Sequence, residues 1–308
     1  MSHSYHDSDN KVLRRNVLRG VAGLSAGVLA RTALGWTSSH LNEQPPTSPW
    51  KLRLSASSIN FSSLRIEEAC KRIAELGFEA IDIWSAHAGC PHLDEVKNRL
   101  NSDGLLRVLK ECGLKLYAFS VYQGGYLRYA ELLGQCGGGV AVRGSASPCE
   151  PNELVQRMKD FLESLKPELE KAEMFNSYLA IENHGHALLD SCDSLKAFVD
   201  LNTHPRLGVA LAPYHILARG ESVETAIHIC GRQLFYFYAW QYGNGLNQLP
   251  GYGGVDCTPW IKALAEVSYK WYVNPFMHQE PSPDEMSAAL SNSRKYLIKC
   301  AESLGIGS

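Results

Sequence analysis

The chain has 308 residues, with 30 Lys plus Arg against 32 Asp plus Glu and a formal net charge of −2. Hydrophobic residues make up 45% and charged ones 20%, too apolar for a disordered chain and without the basic excess that sequence-independent nucleic-acid binding needs. No apolar run reaches the ~18 residues of a spanning helix, which excludes a multi-pass membrane protein and a stable membrane span.

Residues 1–50 read as a separate segment. Arg14 and Arg15 precede the weakly apolar run GVAGLSAGVLA at 20–30, and a polar, Pro-containing stretch follows at 37–49. This resembles a twin-arginine export signal with a linker behind it; the plainer reading is a tail with a chance Arg pair. Use of the signal implies a periplasmic protein, and a cytoplasmic one otherwise. The nine cysteines are odd in number and form no C-x-x-C pair. They read as scattered small apolar residues or free thiols, not as a disulfide framework or zinc site. Twin-arginine export carries proteins already folded in the reducing cytoplasm, which is compatible with free thiols.

From residue 51 to 308 the chain alternates β-rich runs with amphipathic helices. The spacing predicts a strand over 52–59 and a helix over 66–76, where Ile66, Ala69, Cys70, Ile73 and Ala74 recur at three- and four-residue intervals before Gly77. A strand at 80–84 leads to a helix at 105–112, stopped by Gly113. Strands at 114–121, 139–144 and 178–182 lead to helices at 126–133, 151–172 and 194–201. Strands at 207–211, 234–240 and 271–277 lead to helices at 223–230, 258–267 and 284–304. Eight strand–helix units in ~250 residues predict an α/β fold of the (β/α)8 TIM-barrel type. The rival, an open doubly wound sheet, expects a Gly-rich phosphate turn after its first strand, and none is present.

Such strands should stay apolar until their C-terminal ends, and the unusual polar residues fall there. His87 and His92 follow the second strand, Arg143 ends the fourth, and Glu182, His184 and His186 end the fifth. Tyr214 and His215 follow the sixth, Trp240 and Gln241 the seventh, and His278 and Glu280 the eighth. Segments far apart in sequence would thereby send His, Glu, Gln and Arg to one rim. Glu182 stands out, because a carboxylate directly after the apolar run 178–181 is costly to bury without a partner. That partner is a metal or a nearby His, or in the plainer reading Arg143. Tyr236, Tyr238 and Trp240 are barrel packing or a sugar-stacking platform. His204 and His228 read as surface residues.

The blocks LAIENHG at 179–185, LGVALAPYH at 207–215, FYAWQ at 237–241 and FMH at 276–278, with PGYGGVD at 250–256, resemble the xylose isomerase-like TIM barrels. The likeness runs from about residue 52 to the C-terminus, and members with an Arg-Arg signal look similar at the N-terminus. The resemblance implies sugar isomerase or epimerase chemistry with one divalent metal. The family's ligands are a Glu on the fifth strand, an Asp on the sixth, a His on the seventh and a Glu on the eighth. Glu182 matches the first, whereas Ala212, Tyr238 and Phe276 stand at the other three; the family's following His is kept as His215.

A replacement set is Glu182, His215, Gln241 and His278, whose mixed N/O donors suit Mn, Zn, Co or Fe better than Mg. The expected function is a metal-dependent, carbohydrate-active isomerase, epimerase or lyase moving a proton next to a carbonyl. Glu182, His215 and His278 would be catalytic. His87, His92, Arg143, His184, Tyr238, Trp240 and Glu280 would contact the substrate. The alternative is a non-catalytic sugar-binding barrel that has lost the family metal site. A phosphodiesterase like endonuclease IV would need many more ligands. The expected partner is a small carbohydrate, not nucleic acid, and the chain could form a homo-oligomer.

Overall fold

A computed structural model describes residues 49–85 and 89–308. The export signal and linker expected at 1–50 therefore lie outside the described residues, except for Pro49 and Trp50, and so does His87. The eight strands are β1 (Ser55–Ser57), β2 (Ala80–Ser85), β3 (Lys115–Val121), β4 (Val140–Gly144), β5 (Tyr178–Glu182), β6 (Leu207–Leu211), β7 (Leu234–Ala239) and β8 (Val273–Pro275). They form one sheet in sequence order, every neighbouring pair parallel. A bridge between Leu54 and Val273 brings the first and last edges together, and the Val273 N–H donates to the Arg53 carbonyl at 2.9 Å. The expected (β/α)8 barrel is the observed architecture, and no described helix is long and apolar enough to cross a membrane.

Strand alternation sorts the side chains into two cores. One set, with Phe119, Ile181, Val209 and Phe237, faces the helices. The other, with Ala80, Trp84, Tyr117, Ala180, Ala210, Tyr236, Tyr238 and Phe276, fills the barrel. The helix Ile66–Glu75 shows the logic on the outer layer: Ile66, Ala69, Cys70 and Ile73 are buried at helical spacing while Glu68 and Lys71 face water. Burying each such Ile contributes roughly 1.5–3 kcal/mol. Gly113, at φ 69°, turns the chain out of the helix Asn101–Cys112. Gly208 serves a close approach instead: a Cβ there would stand 2.3 Å from the Gln233 carbonyl oxygen.

The element bounds depart from expectation where local chemistry intervenes. The single helix expected at 151–172 is two, Leu154–Ser164 and Lys166–Met174. Pro167 lacks the N–H that would continue the first ladder and tolerates only the opening turn of a new helix. β1 and β8 are three residues each, shorter than 52–59 and 271–277, because the chain turns into a 3-10 helix at Ser58–Phe61 and into loop after Pro275. A short helix, Pro213–Ala218, follows β6 directly and was not expected. It opens on Pro213, and it carries His215.

Candidate functional site

The site lies at the C-terminal ends of the strands and is mostly aromatic. Trp84 from β2 stacks on Phe276 (centroids 5.2 Å, 17° between planes) and lies 4.9 Å from Tyr122, just past β3. Phe276 also meets Tyr238 at 5.0 Å and Trp240 at 5.2 Å. His278 sits edge-on to Phe276 and Trp240, at 4.9 and 5.2 Å. Trp240 then contacts His215 at 5.3 Å, and His215 lies 4.1 Å from His184. A chain of ring contacts from six strand ends thus runs from Tyr122, through Trp84, Phe276, Trp240 and His215, to His184, two residues past Glu182 at the end of β5.

Glu182 is buried, and one carboxylate oxygen accepts from the Tyr122 hydroxyl at 2.7 Å; that hydroxyl lies 3.2 Å from the Tyr238 hydroxyl. Burial raises the Glu182 pKa above the usual carboxylate range, opposed by the Tyr122 hydrogen bond and by the charges that His184 and His278 can carry. His215 is buried, and its Nε2 has no hydrogen-bond partner among the described residues. Burial pushes its pKa down to about 3, with His184 and His278 adding to the effect, so the ring is neutral at any ordinary working pH. The same two imidazoles therefore act on both Glu182 and His215. Asn183 holds the neighbouring backbone: its side-chain oxygen accepts from the Ala212 N–H at 2.6 Å, and its amide nitrogen donates to the Ala212 carbonyl at 3.2 Å.

Of the residues singled out from the sequence, Glu182, His184, His215, Tyr238, Trp240 and His278 come together here. Glu280 joins at the edge, with one oxygen 3.8 Å from the His278 Nδ1. Three others do not reach the site. Gln241 turns away into the loop after β7, where its amide donates to the Leu249 carbonyl and its oxygen accepts from the Val255 N–H at 3.1 Å. A Cβ on Gly253 would stand 2.6 Å from that amide nitrogen, so the loop backbone is packed onto it. Arg143 points outward to Glu168 and to the Gly144 carbonyl, so it is no partner for Glu182. His92 is fully buried beside the loop, its Nε2 at 2.9 Å from the Leu64 carbonyl and its Nδ1 at 3.4 Å from the Cys90 thiol.

The proposed metal sphere of Glu182, His215, Gln241 and His278 does not assemble. Gln241 is committed elsewhere, and among the described residues no group of three or more His, Cys, Asp and Glu is arranged to hold an ion. At the three replaced family positions, Ala212, Tyr238 and Phe276 offer a methyl group, a phenol already shared with Tyr122, and a phenyl ring. The residues present do not fit the family's divalent metal.

Sequence reasoning missed four contributors. Tyr122 and Gln248 carry no sequence signal beyond lying after strands. Gln248 accepts from the Trp240 indole N–H at 2.8 Å and donates to the His278 carbonyl at 3.0 Å, clamping two walls of the site. Trp84 and Asp82 could have been found, because Ala80, Asp82 and Trp84 alternate onto the inner face of β2. Asp82 sits below the site, wholly buried, accepting from Ser57 Oγ (3.0 Å), both oxygens from Ser120 Oγ (3.0 and 2.9 Å), Tyr236 OH (3.0 Å) and the Trp84 indole.

The family model for xylose isomerase-like TIM barrels matches residues 70–296. The chain belongs to that family. Among solved structures, the xylose isomerase-like fold of this chain is similar to 3-keto-D-glucoside 4-epimerase from E. coli, at 17% identity and TM-score 0.62 over 80% of this chain and 100% of that one. A D-psicose 3-epimerase crystallised with D-fructose matches at 15% identity and TM-score 0.64, covering 81% of this chain and 99% of that one. The IOLI protein, solved with a zinc atom, matches at 16% identity and TM-score 0.63, covering 82% and 99%. At these identities the likeness establishes the fold. No curated protein sequence matches significantly.

Proposed function

We propose that this barrel binds a sugar or keto-sugar in its aromatic mouth and moves a proton on the carbon next to the carbonyl without a divalent metal. The observation that carries the reading is a buried imidazole, His215, whose Nε2 is uncommitted among the described residues and whose ring lies 4.1 Å from His184, the same imidazole whose charge acts on the buried Glu182. Burial makes the Glu182 carboxylate a stronger base than one in water. A neutral imidazole N–H is the electrophile that can polarise a carbonyl in place of a metal, because it gives up no proton until charge builds on the oxygen. Glu182 would take the proton, the oxygen would accept a hydrogen bond from His215, and return of the proton on the same face to the other carbon of the enediol, as the hydroxyl proton passes between the two oxygens, would give the aldose–ketose isomer. The rings of Trp84, Trp240 and Phe276 suit the apolar C–H face of a sugar. The sugar epimerases among the structural relatives act on substrates of this class. Export through the Arg14-Arg15 signal is part of the proposal, placing the reaction in the periplasm.

The test is solvent exchange. The protein is stripped with EDTA and incubated in D2O with D-fructose, D-psicose, D-tagatose and 3-keto-glucosides, and deuterium next to the carbonyl is read by NMR. Incorporation that disappears in Glu182→Gln supports the reading. A sugar that binds but never exchanges, in either metal-free or metal-supplemented protein, overturns the chemistry and leaves a sugar-binding barrel. Ala212, Tyr238 and Phe276 favour that second reading, since they remove the family's ligands with no carboxylate in exchange. Exchange that appears only after metal is restored overturns both.

A further inference from the structure

Resting on the sugar-binding reading above, we infer that the mouth takes a glycoside or oligosaccharide, with Tyr242 as the platform for a second sugar ring outside the first. The rings do not stop at the site. Trp240, 4% exposed, stacks with Tyr214 at 4.4 Å and 21° between planes, and Tyr214 meets Tyr242 at 5.1 Å. Tyr242 is 60% exposed. An aromatic track therefore runs continuously from the buried wall beside Glu182 to open solvent.

The exposure of Tyr242 is distinctive in kind. The other large exposed hydrophobics among the described residues are Leu106, Leu127, Val155 and Met174, all aliphatic and all on outer helices. Tyr242 is aromatic and stands on the loop that leaves β7 on the side of the site. That loop is also held in place. Gln248 ties it to Trp240 and His278, and the Gln241 amide ties its base to Leu249 and Val255. A ring carried on a loop pinned at both ends is pre-organised to bind, so little freedom is lost on contact.

The chemistry around the track selects the occupant. Residues 241–255 contain no Asp, Glu, Lys or Arg, and they present Asn244, Asn247 and several glycine backbones. A phosphate, a nucleic acid or an acidic peptide would find no countercharge there. A neutral, hydroxyl-rich ring finds an aromatic face to stack on and amides for its hydroxyls. Continuity with the Glu182 site makes that ring the second unit of the same substrate.

The experiment uses the full chain on an array of mono-, di- and trisaccharides of glucose, galactose, mannose, xylose and fructose, with phosphorylated monosaccharides included. Hits are then measured by calorimetry in EDTA. The inference expects a disaccharide to bind about tenfold tighter than its own monosaccharide. Tyr242→Ala should shrink that gap to under about twofold, and Tyr242→Trp should restore it. Met174→Ala, on an outer helix, should keep it. Thermal melts confirm that each variant is folded. Equal affinity for mono- and disaccharide, a gap indifferent to Tyr242→Ala, or preference for a phosphorylated sugar overturns the second ring while the sugar-binding reading stands. Binding of no sugar on the array overturns both.

Discussion

Among the described residues the barrel interior holds two carboxylates, Asp82 and Glu182, on two levels, and the two are treated differently. Asp82, low in the barrel, receives hydrogen bonds from Ser57, Ser120, Tyr236 and the Trp84 indole. Glu182, one level up, receives one from Tyr122, and His215, beside His184 at the same mouth, has none at Nε2 among the described residues. Burying a polar group is tolerated when every lone pair and proton finds a partner, and it is expensive otherwise. The lower level meets that condition, so its polar network acts as part of the core. The upper level does not, and unmet hydrogen-bonding capacity facing an aromatic mouth marks a place built for something else. The contrast teaches that the useful signal is an unsatisfied buried polar group, rather than a buried polar group as such.

The sharpest way to break this contrast is to remove each carboxylate in turn. Asp82→Ala strands four donors in the core and should cost about 3–5 kcal/mol in urea unfolding. Asp82→Asn, which keeps an acceptor, should cost less than half of that. A loss under ~0.5 kcal/mol for Asp82→Ala would mean that the lower level is not structural. At the upper level the effect should fall on chemistry. Glu182→Gln should lower solvent exchange into a bound sugar by at least ~100-fold. Its unfolding midpoint should stay near that of the parent, because only one hydrogen bond is altered.

A third comparison uses pH, where Asp82 and His215 should pull in opposite directions. Burial raises Asp82 to about 6 from 3.8. The folded chain then holds a proton that the unfolded chain releases, so this contribution is full below pH ~4 and is lost as pH rises through ~6. His215 is lowered to about 3 from 6.5. The unfolded chain takes up a proton that the folded one refuses, so this contribution is full above pH ~6.5 and is lost as pH falls toward ~3. The parent should therefore show partly cancelling slopes between pH 4 and 6. Asp82→Asn should tilt that region so that stability rises with pH, and His215→Gln should tilt it the other way. Each tilt is at most about 1.4 kcal/mol per pH unit. Parallel pH curves for parent and both variants would remove the electrostatic distinction.

The smallest expected effect is none at all. EDTA treatment followed by metal analysis should leave sugar affinity unchanged within about twofold, as expected if the mouth recognises sugars through rings and hydrogen bonds. A stoichiometric bound metal, with affinity lost on chelation, would reverse the assignment of Ala212, Tyr238 and Phe276 as replacements for ligands.

Much of the site could be read from the chain because strand ends are a one-dimensional feature. An acid after YLAI, or a His–Gln–Glu run after a short apolar segment, marks a rim wherever the barrel closes. That rule located Glu182, His184, His215, Trp240 and His278. It misplaced Gln241, Arg143 and His92, since a rim residue can turn either way. Each of these three found a backbone carbonyl or an acid nearer than the mouth. It passed over Asp82 although AIDIWS shows the same acid-in-an-apolar-run pattern as the fifth strand. Tyr122 was also missed, because a tyrosine after a strand has no distinctive spacing.

Periodicity and punctuation, which are local, determined the eight strand–helix units, the barrel class and the candidate rim. The residues at Ala212, Tyr238 and Phe276, where the resemblance expects ligands, could likewise be read in the letters alone. Only the tertiary structure decided which polar groups meet one another. It saturated Asp82, left the His215 Nε2 open, turned Gln241 into a loop clamp, and lined up Phe276, Trp240, Tyr214 and Tyr242 into one track. Whether a buried group is satisfied depends on atoms far away in sequence brought within about 3 Å, and no pattern along a single chain encodes that distance.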